Sequence, residues 1–239
     1  MATATAQATT QATAPTLTLA NTMATAHELM HTGNQPSSLL FALWIAACSP
    51  NQRLYTNGLI ARSLAPSVTA GLPDRETLVS LLRAHKAFFT GRLLDTLFAC
   101  QAAERDVTLV WFQATHPTLD AAWRDDLCSL VHAHGGSAGM KVISFAALLL
   151  DPFACPFAVV DRHHCARLGL GRQAPGSVGS YLATEHAMRS EWLASGERVP
   201  FGVYQWYRWS LARQISGAEP VSATPESHRL LSPRWYPAA

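Results

Sequence analysis

The sequence predicts an all-α chain. Apolar residues recur at helical spacing through most of residues 36–215, and Pro and Gly interrupt them at intervals suited to ordinary helices. The single β-prone run, 107–112, is flanked by helical patterns and has no partner strand in sight, so it too is assigned to a helix.

The elements follow in order. Ser37 and Ser38 can cap the run 39–48, which is apolar nearly all round and therefore expected to be buried. Pro50 breaks the chain, Asn51 can cap a second helix to about residue 65, and 66–73 is a linker with proline at both ends. Asp74, followed by Thr77, Leu78, Leu81 and Leu82, opens the next helix, and helical spacing resumes over 88–100. Pro117 opens a helix over 119–134, and Gly135-Gly136 stops it. After that turn come an apolar helix, 140–150, and an extended connector, 151–158, with two prolines. Asp161 heads a short helix ended by Gly169; a further helix spans 177–193, closed by Ser195-Gly196; Pro200 opens a final aromatic helix, 201–215.

This gives one helical domain over 27–215, long enough to bury a core without disulfide or metal staples. Residues 1–26 carry no charged side chain and repeat Ala, Thr and Gln, as in a disordered leader. They have no basic n-region and no continuous apolar core, so they do not resemble a signal peptide. Residues 216–239, rich in Pro and Ser, are expected to be a tail. No apolar stretch reaches membrane-spanning length, so no membrane partner is expected.

A net charge of +2 excludes a histone-like polycation, and any nucleic-acid contact must be a local basic surface. Of the 18 basic residues, 16 are Arg; only Lys86 and Lys141 offer an amine that burial can neutralise for nucleophilic work. Codon usage alone gives the same bias. Five cysteines, with no C-x-x-C pair, fit reduced thiols in a cytoplasmic protein. His163, His164 and Cys165 are adjacent and cannot easily share one ion, and the zinc-deaminase signature is absent; neither metal nor cofactor is expected.

The chemistry-bearing stretch is His134-Gly135-Gly136-Ser137-Ala138-Gly139-Met140-Lys141, followed by the apolar helix, the connector and Val159-Val160-Asp161-Arg162-His163. A glycine-rich turn between helices lets backbone N–H groups approach a phosphate, aided by the positive end of the next helix. Lys141 is either a phosphate contact or, if partly neutral, a nucleophile; Asp161 can cap its helix and still supply a carboxylate.

This stretch resembles the helix-hairpin-helix DNA glycosylase superfamily, in which a hairpin ending in G-x-K precedes V-D-x-H by about twenty residues; here Lys141 and Asp161 are 20 apart. The hairpin is one residue longer than the usual G-x-G, and no four-cysteine iron–sulfur loop follows. A second resemblance is to small glycosylase-fold proteins of phages and bacteria, among them the alpha-glutamyl/putrescinyl thymine pyrophosphorylases. It rests on AACSPNQRLYTNGLIARSLA (46–65) and VPFGVYQWYRW (199–209), and with the hairpin covers roughly 41–209.

The resemblance implies a glycosylase fold with two small helical lobes around a central cleft. It implies Lys141 as the nucleophile and Asp161 as the essential carboxylate. The substrate would be a base flipped out of double-stranded DNA, a modified pyrimidine of the 5-hydroxymethyl-derived kind, glycosylated forms included. Asn51, Asn57, His163, Gln205, Trp206 and Trp209 are the expected substrate contacts, with the tryptophans as stacking partners. Arg53, Gly136, Gly139 and Arg162 are expected to meet the DNA backbone. The implied enzyme is a monomeric N-glycosylase with Lys-dependent lyase activity, acting in bacterial defence against phages with modified DNA. Two alternatives stay open: a transferase that attaches an amine to an activated 5-hydroxymethyl pyrimidine, and a catalytically silent DNA-binding module.

Overall fold

The computed structural model describes residues 18–20, 23, 39–49, 54–111, 120–171 and 173–215. In the N-terminal stretch Leu19, Ala20 and Met23 are helical. From residue 39 onward the described residues form ten helices and no strand, in keeping with the all-α expectation: α1 (Leu39–Cys48), α2 (Leu54–Leu64), α3 (Ser67–Ala70), α4 (Arg75–Ala84), α5 (Gly91–Trp111), α6 (Ala121–Ala133), α7 (Met140–Leu150), α8 (Arg162–Arg167), α9 (Val178–Ser195) and α10 (Phe201–Ile215).

Helix α1 is the centre of the larger core because it has no polar face. Every residue from Leu40 to Cys48 is buried, and the helix packs on α7, α5 and α2. Its one polar ring nitrogen, Trp44 Nε1, donates to the Leu97 carbonyl of α5 at 3.1 Å, so a fully buried indole leaves no donor unsatisfied. The expected linker 66–73 contains the single-turn helix α3. Pro66 precedes its first residue, where no backbone N–H is required, and Gly71, at φ +85°, ends it. The β-prone residues 107–111 continue α5, with helical neighbours overriding strand propensity.

Three helices that the sequence starts at Asp74, Asp161 and Ser177 are N-capped by those residues. Asp74 accepts from the backbone of Glu76 and Thr77, Asp161 from His163 and His164, and Ser177 forms a reciprocal capping box with Ser180. The stop after α6 is a Schellman turn: Gly135 is at φ +81° and donates to His132, while the Gly136 N–H reaches back to Val131.

Two hydrophobic clusters result. One gathers α1, α2, α4, α5, α6 and α7 and extends to Phe157. The other comprises Ala158, Val160, Cys165, Tyr181, Met188 and Phe201 with Met140, Leu168 and Trp192 packed on it. The border between them falls inside the connector, between Phe157 and Ala158.

Two glycines hold close approaches. A Cβ on Gly202 would lie 2.2 Å from the Pro152 carbonyl oxygen, and one on Gly136 would lie 2.6 Å from Ala99 Cβ. Gly202→Ala and Gly136→Ala are therefore each expected to lower the free energy of unfolding by about 1–3 kcal/mol, as overpacking does. Gly179→Ala has open space around it and is expected to raise it by up to about 1 kcal/mol. Urea denaturation of the three variants checks the contrast.

Candidate functional site

The site is assembled by a segment that has no secondary structure of its own. Residues 157–160 run extended between the two clusters, and Phe157, Ala158 and Val160 are buried. Buried backbone groups need partners, and side chains of α9 and α10 provide them. Gln205 Nε2 donates to the Phe157 carbonyl at 2.7 Å, and Gln205 Oε1 accepts from the Val159 N–H at 2.8 Å. Glu185 Oε2 accepts from the Ala158 N–H at 2.8 Å. The Tyr181 hydroxyl donates to the Ala158 carbonyl at 2.6 Å and accepts from the Val160 N–H at 3.3 Å.

Glu185 can be buried here because Arg124 of α6 pairs with the same oxygen at 2.8 Å; the side chains are 3% and 11% exposed for Arg124 and Glu185. Arg124 also lies over the Phe157 ring, 4.6 Å from its centroid, and Trp123 stacks on that ring at 6.1 Å.

This clamp delivers Asp161 to the head of α8. Its Oδ1 accepts from the backbone N–H groups of His163 (2.9 Å) and His164 (3.1 Å), and its Oδ2 accepts from the Trp209 indole of α10 at 2.7 Å. His164 Nδ1 lies 3.2 Å from Oδ1. Burial pushes the Asp161 carboxyl up, but His164, the Lys141 charge and the backbone donor together outweigh it and hold the group well below the carboxylate range.

Lys141 stands in the first turn of α7, partly buried. Burial pushes its amine below the ordinary lysine value of 10.5; Asp161 opposes that shift and Arg162 adds to it. An amine eased toward neutrality thus lies within electrostatic reach of a carboxylate held ionised. The turn before it is tied to α5, where Thr96 Oγ1 accepts from the Ser137 N–H at 3.1 Å.

The other expected site residues separate into groups. Arg162, at the first position of α8, is exposed, and His163 beside it is partly buried. Gly139 caps α7 without a side-chain bond and has open space around it, as a backbone-contacting position requires. Gly136 is instead a packing glycine against Ala99 and Val131. Gln205, expected in a base pocket, is 2% exposed with both amide ends engaged by the connector. Trp209, expected to stack on a base, directs its N–H at Asp161, and Trp206 is partly buried one turn away. Asn57 is 2% exposed and its amide nitrogen donates to the Ile45 carbonyl in the last turn of α1. Asn51 and Arg53 lie outside the described residues.

Glu185, Tyr181, Arg124 and His164 were not among the expected residues. A signal for the first two existed: they stand i, i+4 on α9, an inward-facing acid one turn from a tyrosine. Among the described residues no three His, Cys, Asp or Glu are placed to hold a metal ion, and no helix is long and apolar enough to cross a membrane. Cys48, Cys100, Cys128, Cys155 and Cys165 are unpaired; burial pushes the thiols of Cys48, Cys100 and Cys155 up to about 12, so they are inert packing groups at neutral pH.

Compared with family models, characterised proteins and solved structures, the chain matches none.

Two outcomes follow for stability. Glu185→Gln keeps an acceptor for Ala158 but leaves the Arg124 charge buried alone, which is expected to cost about 3–5 kcal/mol in urea denaturation. Asp161 has a folded pKa below its unfolded one, so its stabilisation is full above the unfolded value of 3.8 and is lost as pH falls through the lower folded value. Asp161→Asn, which retains the cap, is expected to flatten the acid side of the stability–pH curve below about pH 4. Thermal melts between pH 2 and 7 measure this.

Proposed function

We propose that this protein is a DNA glycosylase of the helix-hairpin-helix type, which flips out and excises a modified pyrimidine. The observation that carries the reading is the electrostatic coupling of Lys141 with Asp161: an amine eased toward neutrality within electrostatic reach of a carboxylate held ionised. The α6–turn–α7 hairpin, the uncapped amino end of α7 at Gly139 and the exposed Arg162 support a grip on a DNA backbone. Two hydrophobic clusters meeting at the connector support a two-lobed arrangement.

The chemistry follows from those two groups. A base inside a duplex is out of reach, so it must first leave the stack. As the C1′–N1 bond of the nucleotide breaks, its electron pair leaves with the pyrimidine, and positive charge builds on the sugar. Asp161 meets that charge as a fixed anion. Because its proton affinity is depressed, it is a poor proton carrier, which assigns it electrostatic stabilisation rather than general-base work. The neutral fraction of Lys141 then forms a bond from Nζ to C1′ and gives up a proton to solvent. The C1′–O4′ bond breaks with its electron pair going to O4′, which takes a proton, and the nitrogen lone pair closes the C1′=N bond of a Schiff base, from which strand cleavage can proceed.

A modified pyrimidine is favoured as substrate by the sequence resemblance over 46–65 and 199–209. DNA containing 5-hydroxymethyl-derived pyrimidines, glucosylated forms included, is expected to yield free base, abasic sites and a borohydride-trapped adduct, whereas unmodified DNA stays intact. Nucleoside mass spectrometry and adduct gels measure both. Asp161→Asn is expected to lose about 10²–10³-fold in excision rate, the scale of removing one preorganised electrostatic contact. Lys141→Met abolishes the adduct. It is also expected to melt no lower than the parent at pH 7, because a buried ammonium whose folded pKa lies below its unfolded one destabilises the fold while charged. Full excision by Asp161→Asn contradicts the proposal.

A further inference from the structure

Trp209 was expected from its residue type to be a stacking platform, but its hydrogen bond shows a different use. The indole Nε1 donates to Asp161 Oδ2 at 2.7 Å across 48 residues of sequence. The other carboxylate oxygen is already held by the two backbone donors of the α8 cap, at 2.9 and 3.1 Å. Cap donors alone fix Oδ1 and leave the carboxylate free to swing about that anchor; a donor on Oδ2 removes this freedom. The indole comes from α10, which packs on α8, and Gln205, one turn earlier on α10, clamps the connector leading to Asp161. One helix therefore positions both the approach to Asp161 and its second oxygen.

We propose that Trp209 is a positioning residue: its indole N–H fixes Oδ2 of Asp161, so that the carboxylate is held at both oxygens in one orientation. This rests on the glycosylase reading for its functional consequence, though not for the anchoring itself. The charged and titratable groups acting on Asp161 are Lys141 from α7 and His164 and Cys165 from α8; Arg162, also on α8, acts on Lys141. Trp209 adds a neutral donor from α10, whose contribution does not change with pH. Removing it must therefore raise the proton affinity of Asp161 at every protonation state of its neighbours.

The test replaces only the donor. Trp209→Phe removes the N–H, and 3-benzothienylalanine at position 209 keeps the bicyclic shape with sulfur in place of N–H, so the second variant stands if the first folds poorly. The side-chain carboxyl of Asp161 is followed by carbon-13 NMR from pH 2 to 7, assigned by its absence in Asp161→Asn. In the parent the carboxyl is expected to stay ionised down to the lowest pH at which the fold survives. In both donor-less variants its titration is expected to rise toward the ordinary value of about 4. Single-turnover excision on modified DNA is expected to fall roughly ten- to hundred-fold, the worth of a hydrogen bond to a charged group, with DNA affinity unchanged. A stacking role would instead weaken binding and leave the Asp161 titration unchanged. An unchanged titration in both variants overturns the proposal. A shifted titration in a protein with no excision activity upholds the anchoring and rejects the glycosylase reading.

Discussion

The structure depends on an extended segment, 157–160, that lies buried between two hydrophobic clusters and has no strand to pair with. An unpartnered buried N–H or C=O costs about as much as a lost hydrogen bond. Five backbone contacts to Gln205, Glu185 and Tyr181 settle this at once. The helices that supply those side chains, α9 and α10, are thereby held against the connector, and Arg124 of α6 draws the other cluster to the same point. Asp161 inherits its place from this arrangement. It follows the clamped segment directly and begins α8, so its place in the chain follows from the contacts of Gln205, Glu185, Tyr181 and Arg124, while its carboxylate is held by the α8 cap and Trp209.

Lys141 and Asp161 show how one environment treats opposite charges differently. Burial disfavours both ionised forms. Asp161 has the compensation of a helix cap, an indole donor, the His164 ring and the Lys141 charge, and its anion wins. Lys141 has the Asp161 charge in its favour but burial and Arg162 against it, and its amine is shifted below the ordinary lysine value. Both groups are thus shifted downward, which favours the anion at Asp161 and the neutral amine at Lys141. The Arg-dominated basic set matters here: a guanidinium cannot lose its proton in a protein, whereas the amine of Lys141 can.

Most of the helices were legible because their signals are local. Asp74, Asp161 and Ser177 were recognisable caps, Gly135 and Gly169 recognisable stops, and both glycines have positive φ. The spacing of Lys141 and Asp161 suggested that they belong together, and the two groups lie within electrostatic reach of one another. Contacts between distant elements were not legible. Nothing in the sequence near Gln205 says that its amide spans the connector backbone, and the type of Trp209 suggested a ring surface where the structure uses a donor. Gly136 was taken for a phosphate contact because of its place in the turn, but the neighbouring Ala99 belongs to a helix 37 residues earlier in the chain. The one-turn helix α3 was missed because prolines bracket it, and four residues carry no periodicity to read.

The site turns on a Lys141 amine shifted down by its surroundings within electrostatic reach of an ionised Asp161. With only two lysines in the chain, the measurement is direct: lysine labelled with carbon-13 at Cε gives two side-chain signals, one from Lys141 and one from Lys86. Lys86 is exposed, and its signal is identified by its persistence in Lys141→Met. On titration to high pH, the Lys141 signal is expected to move at a pH below 10.5, the ordinary lysine value. Titration of the Lys141 signal at or above that value would contradict this.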